Sequence, residues 1–250
     1  MTSSSATFEE WVKVFHPAPV AAVRLVCLPH AGGSASFFFP MAKAFGPAVE
    51  VMAVQYPGRQ ARRHEPGIDN VPEYADQIFA ALRRLDDRPL ALFGHSMGAI
   101  LAYEVAIRMR QAGLRAPARL FASGRRAPSR YRDEQVHKGS DEEMVAELQG
   151  LGGPNQVMLT DPELLAMILP AVRSDYRAIE RYEHDPHVRL DCPVTVLVGD
   201  SDPLVTLDEA RAWAEHTTAP TELEVFRGGH FFLVEQSTKV IELLARRLSV

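Results

Sequence analysis

The sequence predicts a single α/β domain in which a mostly parallel central sheet is flanked by helices. The chain has 250 residues, of which 46% are hydrophobic, and this is enough to bury one large core. Short apolar runs alternate with helix-like segments along the chain. Most of these runs are continuous rather than alternating, which is typical of strands that are buried on both faces of a parallel sheet.

Six apolar runs are the predicted strands, at residues 23–28, 49–54, 89–93, 119–122, 194–198 and 222–226. Helical patterns lie between them. Residues 71–85 have Pro72 near their start and apolar residues at helical spacing, and residues 97–111 are followed by Gly113 as a cap. Residues 236–248 form the last predicted helix. Such alternation implies right-handed crossovers and a doubly wound sheet.

The strand–helix alternation stops between about residues 125 and 187. This segment contains no convincing strand, but it has helix-like stretches at residues 141–149, 162–167 and 173–182, the first with Ser140 as a plausible N-cap. About 60 residues is too long for one crossover, so we interpret the segment as a helical lid inserted within the single domain 1–250. An ordinary pair of crossover helices is the alternative.

Composition excludes several classes of function. The formal net charge is −5, which argues against a nucleic-acid-binding protein. The N-terminus lacks the basic and apolar segments of a secretory signal, and no apolar run approaches the roughly 18 residues that a membrane span needs. Cys27 and Cys192 lie in apolar runs without metal-binding spacing. We therefore expect buried thiols in a cytoplasmic protein that binds no membrane, metal or cofactor.

The strongest local motif is G-x-S-x-G, at residues 94–98. It follows a predicted strand and opens a predicted helix, which is the setting of a nucleophile elbow. Gly94 and Gly98 leave room where strand and helix approach each other, and the serine hydroxyl projects at the carboxyl edge of the sheet. We therefore predict Ser96 as the nucleophile. His95 is expected to support the elbow rather than to act as the base.

A serine nucleophile needs a base, and the base needs an acid that orients it. His230 lies in a glycine-rich loop after the last predicted strand, which puts it at the same edge as Ser96. Asp200 and Asp202 follow the strand at 194–198, and this gives the chain order Ser, Asp, His of α/β-hydrolases. We prefer Asp202 because it lies farther into the loop, whereas Asp200 suits a turn or capping role.

An acyl-transfer site also needs N–H donors for the oxyanion. The backbone N–H of Met97, directly after the nucleophile, is one candidate. The second is Ala31, in the loop PHAGGS at residues 29–34, which is close to the HGGG-type motif. A phosphate-binding loop is not supported, because neither GxxxxGK[ST] nor GxGxxG is present.

Together these motifs resemble those of the type II thioesterases, stand-alone editing enzymes of polyketide and nonribosomal peptide assembly lines. The resemblance runs from about residue 15 to 248. It is carried by PHAGGSASFF at 29–38, YPGR at 56–59, GHSMG at 94–98, GDSDPL at 199–204 and GGHFFL at 228–233.

The resemblance implies a thioester hydrolase that removes stalled or wrong acyl groups from the phosphopantetheine arm of an acyl or peptidyl carrier protein. It implies the triad Ser96, Asp202 and His230, with the amides of Ala31 and Met97 as oxyanion hole. A mobile helical lid and a monomeric enzyme without a cofactor are expected.

Three other functions stay open on the sequence alone. A triad acts on esters too, so a carboxylesterase or lipase is possible, and an acyltransferase would use an alcohol or amine in place of water. A non-catalytic binding module that kept the fold is the third.

Two sets of side chains also have two interpretations each. The basic runs Arg125, Arg126, Arg130, Arg132 and Arg59, Arg62, Arg63 either steer an acidic carrier protein or belong to solvated loops. The phenylalanines at positions 37, 38, 39, 231 and 232 either line an acyl pocket or belong to the core.

Overall fold

A computed structural model describes residues 7–85, 87–153 and 159–249 of the chain. The strands in these residues are β1 (Val12–Val14), β2 (Val23–Leu28), β3 (Val49–Val54), β4 (Leu90–His95), β5 (Leu120–Ser123), β6 (Val194–Gly199) and β7 (Thr221–Phe226). They form one sheet in the order β1-β3-β2-β4-β5-β6-β7. All neighbours pair in parallel except β1, which runs antiparallel to β3. The predicted fold class, α/β-hydrolase, is confirmed.

Helices lie on both faces of this sheet. In the described residues they are α1 (Phe8–Trp11), α2 (Phe39–Phe45), α3 (Val71–Leu82), α4 (Met97–Gln111), α5 (Asp141–Gly150), α6 (Pro162–Glu180), α7 (Leu207–Arg211), α8 (Phe232–Glu235) and α9 (Ser237–Leu248). Alternate residues of β2 face opposite sides: Val26 and Leu28 pack with α3 and α4, whereas Leu25 and Cys27 pack with α2 and α9. The strands β2 to β6 are therefore buried on both faces, as their continuous apolar runs predict, whereas the edge strand β7 is only partly buried.

Strand bounds agree with the sequence within two residues. β2 and β3 match their predicted bounds, and β4 extends two residues farther, to His95. The short antiparallel strand β1 has no counterpart among the predicted strands, because three residues carry too little periodicity to be recognised. Within the described part of the chain, no helix combines the length and apolar character required to cross a membrane. Cys27 and Cys192 are free and buried.

The segment between residues 125 and 187 differs from the prediction in one respect. The two helical stretches at 162–167 and 173–182 are a single helix, α6, which continues through Pro170. A proline inside a helix removes one hydrogen bond, but Leu169, Ala171 and Val172 around it are buried and hold both halves in place. Ser140 caps α5 as predicted, by accepting from the N–H of Glu143.

Helix α4 starts directly where β4 ends, and glycine makes this close approach possible. A Cβ atom on Gly94 would lie 2.0 Å from the carbonyl oxygen of Gly98. A Cβ atom on Gly98 would lie 2.1 Å from the carbonyl oxygen of Leu28, on the neighbouring strand. The turn between β4 and α4 therefore has no space for larger residues at either position.

The substitution Gly94→Ala should lower the free energy of unfolding by about 3 kcal/mol or more, because backbone atoms must move to admit the methyl group. Gly150→Ala is the matched control, since a Cβ atom there meets nothing within 4 Å. It should leave stability unchanged or slightly higher, because alanine favours the helix. Urea denaturation of both variants measures the difference, and equal stabilities would contradict this account of the turn.

Candidate active site

Ser96 occupies the turn between β4 and α4 in a strained backbone conformation. Its φ is 55° and its ψ is −119°, and a positive φ is uncommon for a residue other than glycine. The Ser96 N–H donates to the carbonyl oxygen of Ser123 at the end of β5, over 2.8 Å. The side chain is partly exposed to a cavity at the carboxyl edge of the sheet. These features are those of the nucleophile elbow that the motif predicts.

His230 and Asp202 form a buried pair beside the same cavity. The imidazole Nδ1 lies 2.9 Å and 3.1 Å from the two carboxylate oxygens of Asp202, and both side chains are almost fully buried. An Nδ1–H donated to the carboxylate leaves Nε2 free to accept a proton. Ser96 and His230 both line the cavity, although no hydrogen bond joins their side chains among the described residues. Such bonds often tighten only when substrate binds.

Asp200, the competing candidate, has a different role. It is exposed, and its carboxylate accepts from the Gly228 N–H at 3.0 Å and from the Ser201 hydroxyl at 2.7 Å. The Gly228 N–H lowers the pKa of Asp200, so this carboxylate stays ionised in its turn. The structure brings Asp202, and not Asp200, against the imidazole of His230.

Two backbone amides are available for an oxyanion. Ala31 and Met97 line the cavity together with Ser96, and neither N–H reaches an acceptor in the residues that the structure describes. Met97 is the first residue of α4, where amides have no partner within the helix. Ala31 lies in a tight turn in which the Gly33 N–H donates to the carbonyl oxygen of His30 at 2.9 Å. This arrangement suits the predicted oxyanion hole.

A buried carboxylate that the sequence analysis did not single out, Asp175 of α6, fixes the loop of Ala31. Its Oδ2 accepts from the Gly32 N–H and from Arg59 Nη1, both at 2.8 Å. Its Oδ1 accepts from the Tyr74 hydroxyl at 2.6 Å and from Arg59 Nη2 at 3.0 Å. Because these bonds compensate the buried charge of Asp175, they hold α6 and the loop of Ala31 together.

Two further histidines surround His230, and both are kept neutral by burial. Burial lowers the pKa of His30 to about 3, and it lowers the pKa of His95 well below its ordinary value. The His95 ring lies 5.0 Å from the His230 ring, and its Nδ1 is 3.0 Å from the hydroxyl of Ser123. His95 therefore packs behind the elbow, as the sequence predicts, and has no carboxylate partner among the described residues.

The cavity above Ser96 measures about 330 Å³ and is largely apolar. Its outer wall comes from α5, α6 and residues next to them, with the apolar side chains Leu148, Leu151, Leu159, Ile168, Val172 and Ile179. Of the five candidate phenylalanines, Phe231 lines this cavity. Phe38 and Phe232 are core residues, Phe39 is exposed, and Phe37 borders a second cavity. The space has the size and polarity for an acyl chain.

Most arginines of the two basic runs are buried or paired within the chain, whereas Arg63 is exposed. Arg59 is buried against Asp175, so it belongs neither to a docking surface nor to a solvated loop, the two interpretations that the sequence allowed. Arg62 pairs with Glu65 and stacks on Trp11.

In the second run, three of the four arginines pair within the chain: Arg126 with Glu134, Arg130 with Glu215 and Arg132 with Glu209. Their charge is therefore largely offset locally. The fourth, Arg125, lines the cavity.

Comparison with known proteins agrees with the resemblance in the motifs. The thioesterase domain family matches residues 23–248. The probable cadicidin biosynthesis thioesterase of Streptomyces griseus is 50% identical over 248 residues, which are 99% of this chain and 68% of that protein. Thioesterase PikA5 of Streptomyces venezuelae is 46% identical over 241 residues, 96% of this chain and 86% of that protein. The solved structure of the type II thioesterase BorB from the borrelidin biosynthetic cluster has a TM-score of 0.90 at 48% identity, and covers 98% of this chain and 100% of that one.

The substitution Asp202→Asn should reduce kcat for a soluble acyl thioester by about 10⁴-fold, because an amide no longer holds the imidazole in the required tautomer. Asp200→Asn is the matched control and should reduce kcat far less, since Asp200 only supports a turn. Steady-state hydrolysis by both variants makes the comparison. A larger loss of kcat in Asp200→Asn would show that Asp200, and not Asp202, is the acid of the triad.

The substitution Asp175→Asn should lower the free energy of unfolding by about 3–5 kcal/mol, because it leaves the buried Arg59 cation without a counter-charge. Asp141→Asn removes the exposed partner of Arg173 and should cost about 1 kcal/mol or less. Chemical denaturation of both variants tests the contrast. Similar losses would mean that the buried pair contributes no more than a surface pair.

Proposed function

The chain belongs to the thioesterase domain family, and we propose that it is a stand-alone type II thioesterase. In this proposal it hydrolyses stalled or wrong acyl groups from the phosphopantetheine arm of an acyl or peptidyl carrier protein. One observation carries the proposal: the strained Ser96, the His230–Asp202 pair and two unpaired amides border one acyl-sized cavity. It is supported by similarity to a probable cadicidin biosynthesis thioesterase, to thioesterase PikA5 and to the type II thioesterase BorB from the borrelidin biosynthetic cluster.

The first half of the proposed reaction transfers the acyl group to the enzyme. Ser96 Oγ attacks the thioester carbonyl while His230 Nε2 takes the hydroxyl proton. The carbonyl oxygen becomes an oxyanion that accepts hydrogen bonds from the Ala31 and Met97 amides. When the tetrahedral intermediate collapses, the carbon–sulfur bond breaks and His230 returns its proton to the sulfur. A thiol has a pKa near 8.5, so the sulfur leaves with less help than an alkoxide would need.

The second half releases the acid. Water attacks the acyl-enzyme carbonyl as His230 takes its proton, and the same two amides hold the second oxyanion. Collapse breaks the bond to Ser96 Oγ, which recovers the proton from His230. Asp202 stays ionised throughout and stabilises the imidazolium that forms in each half-reaction.

The lid belongs to this proposal. Helices α5 and α6 wall the cavity on the side away from the sheet, so a substrate on a long arm has to pass them. We propose that residues 125–187 act as a mobile lid that admits the arm. We also propose a cytoplasmic, monomeric enzyme, and the two free thiols fit a reducing compartment.

The test uses carrier proteins loaded with short and long acyl groups. Wild-type enzyme should release free acid, and Ser96→Ala should slow the release by at least about 10⁴-fold, since the residual rate depends on binding and the oxyanion hole alone. Ser36→Ala, a change at an exposed serine outside this cavity, is the matched control and should keep wild-type activity.

Product analysis and a second substrate separate the competing functions. Equal release by wild type and Ser96→Ala would refute the proposed nucleophile. A kcat/KM far higher for p-nitrophenyl esters than for carrier-bound thioesters would indicate an esterase. An ester or amide product in place of the free acid would indicate an acyltransferase.

A further inference from the structure

Two side chains that line the acyl cavity carry hydrogen-bond donors without a partner among the residues that the structure describes. These donors are the guanidinium of Arg125 and the hydroxyl of Tyr176, and both residues line the cavity that holds Ser96. Neither side chain reaches an acceptor in the described parts of the chain, and the Nε atom of Arg125 is fully buried. A buried donor without an acceptor is unfavourable by the cost of its desolvation. Because Nε has no accessible surface, the Nη atoms of Arg125 and the Tyr176 hydroxyl are the donors that can meet an acceptor on a substrate in the cavity.

The backbone places Arg125 close to the reacting centre. β5 ends at Ser123, whose carbonyl oxygen accepts the N–H of Ser96 itself. Gly124 then turns the chain with a φ of 58°, and a Cβ atom there would lie 2.7 Å from the His95 ring and 3.4 Å from the His230 ring. Arg125 is the next residue, so its side chain enters the cavity beside the nucleophile.

Arg125 is an exception within its own basic run. Arg126, Arg130 and Arg132 each pair with a glutamate, whereas Arg125 has no ion pair among the described residues. Burial lowers the pKa of Arg125 to about 9, and the charge of Arg126 acts in the same direction. The guanidinium is still a cation at neutral pH, and it keeps all its N–H donors.

Tyr176 supplies the second donor from the opposite wall. It lies on α6, and burial raises the pKa of its phenol, so the hydroxyl keeps its proton. Its ring packs with the apolar side chains of Val136, Leu148 and Leu165. Its hydroxyl shares the cavity with Arg125 and with the glutamates of the same wall, and it forms no hydrogen bond to them in the described residues.

The charges of the cavity favour a neutral acceptor over an anion. Glu134, Glu147 and Glu180 line the same space as Arg125. Burial raises the pKa of Glu147, and the charges of Glu134 and Glu180 act in the same direction, which reflects a negative local environment. A carboxylate on the substrate would meet these groups as well as the guanidinium. A keto or hydroxyl oxygen accepts from Arg125 and Tyr176 without that repulsion.

We propose that Arg125 and Tyr176 select acyl groups that carry a neutral oxygen, a keto or hydroxyl group, near the thioester. The inference depends on the proposed thioesterase function, and it assigns the substrate class of the same site. The enzyme then cleaves oxygenated acyl chains faster than saturated chains of equal length.

The experiment compares soluble pantetheine thioesters of one chain length, so that carrier docking does not contribute. The acyl groups are hexanoyl, 3-hydroxyhexanoyl, 3-oxohexanoyl and the monothioester of adipic acid. Wild type should show higher kcat/KM for the hydroxy and oxo substrates than for hexanoyl. Arg125→Met should reduce this ratio by roughly 10- to 100-fold, as expected for loss of a charged hydrogen bond. Tyr176→Phe should reduce it less, and Arg125→Lys should restore part of it.

Arg130→Met is the matched control, since it removes an arginine of the same run that lies outside the acyl cavity, and it should keep the wild-type ratio.

An unchanged ratio in Arg125→Met overturns the proposal, and this includes the case in which the variant loses activity equally on all four substrates. Arg125-dependent preference for the adipic substrate would assign an anion site instead. If wild type cleaves none of the thioesters, the proposed function fails. If cleavage requires Ser96 but shows no preference for oxygen, only the present inference fails.

Discussion

The parallel pairing of five strands is the constraint on which the site depends. Because β2, β4, β5, β6 and β7 run in one direction, their carboxyl ends meet at one edge of the sheet. Each of the loops that follow places one residue of the proposed site at that edge. In sheet order these residues are Ala31, Ser96, Arg125, Asp202 and His230. Residues far apart in the chain become neighbours because strand register, rather than loop structure, fixes where each loop begins.

The sheet alone does not complete the site, since the position of the loop that carries Ala31 also depends on α6. The carboxylate of Asp175 accepts the N–H of Gly32, next to Ala31, and pairs with Arg59 and Tyr74. Helix α6 thus walls the cavity and also holds the loop that carries Ala31, the proposed oxyanion donor. A shift of α6 that alters access to the cavity would also strain or move the turn at Ala31.

The sequence predicts those features that depend on local patterns. The elbow at Ser96 is recognisable because its glycines and the strand before it are contiguous, and the loops of Asp202 and His230 follow strands with clear apolar runs. Asp175 carries no such signal, because its bond to Gly32 joins residues 143 positions apart. The position of Arg125 is also not predictable from the sequence. Its basic neighbours suggest a surface run, and only packing shows that Arg126 is buried and that Arg125 lines the cavity.

The charges around His230 favour its proposed role as the base. In the proposed reaction the imidazolium of His230 is stabilised by a carboxylate, and a second cationic imidazole beside the ring would oppose its formation. Burial keeps His30 and His95 neutral, and the His95 ring lies 5.0 Å from the His230 ring. Asp202 is left as the carboxylate in contact with the ring. The same packing brings this buried pair to the cavity that the Ala31 and Met97 amides line, so the proposed base and the proposed oxyanion donors lie around one space.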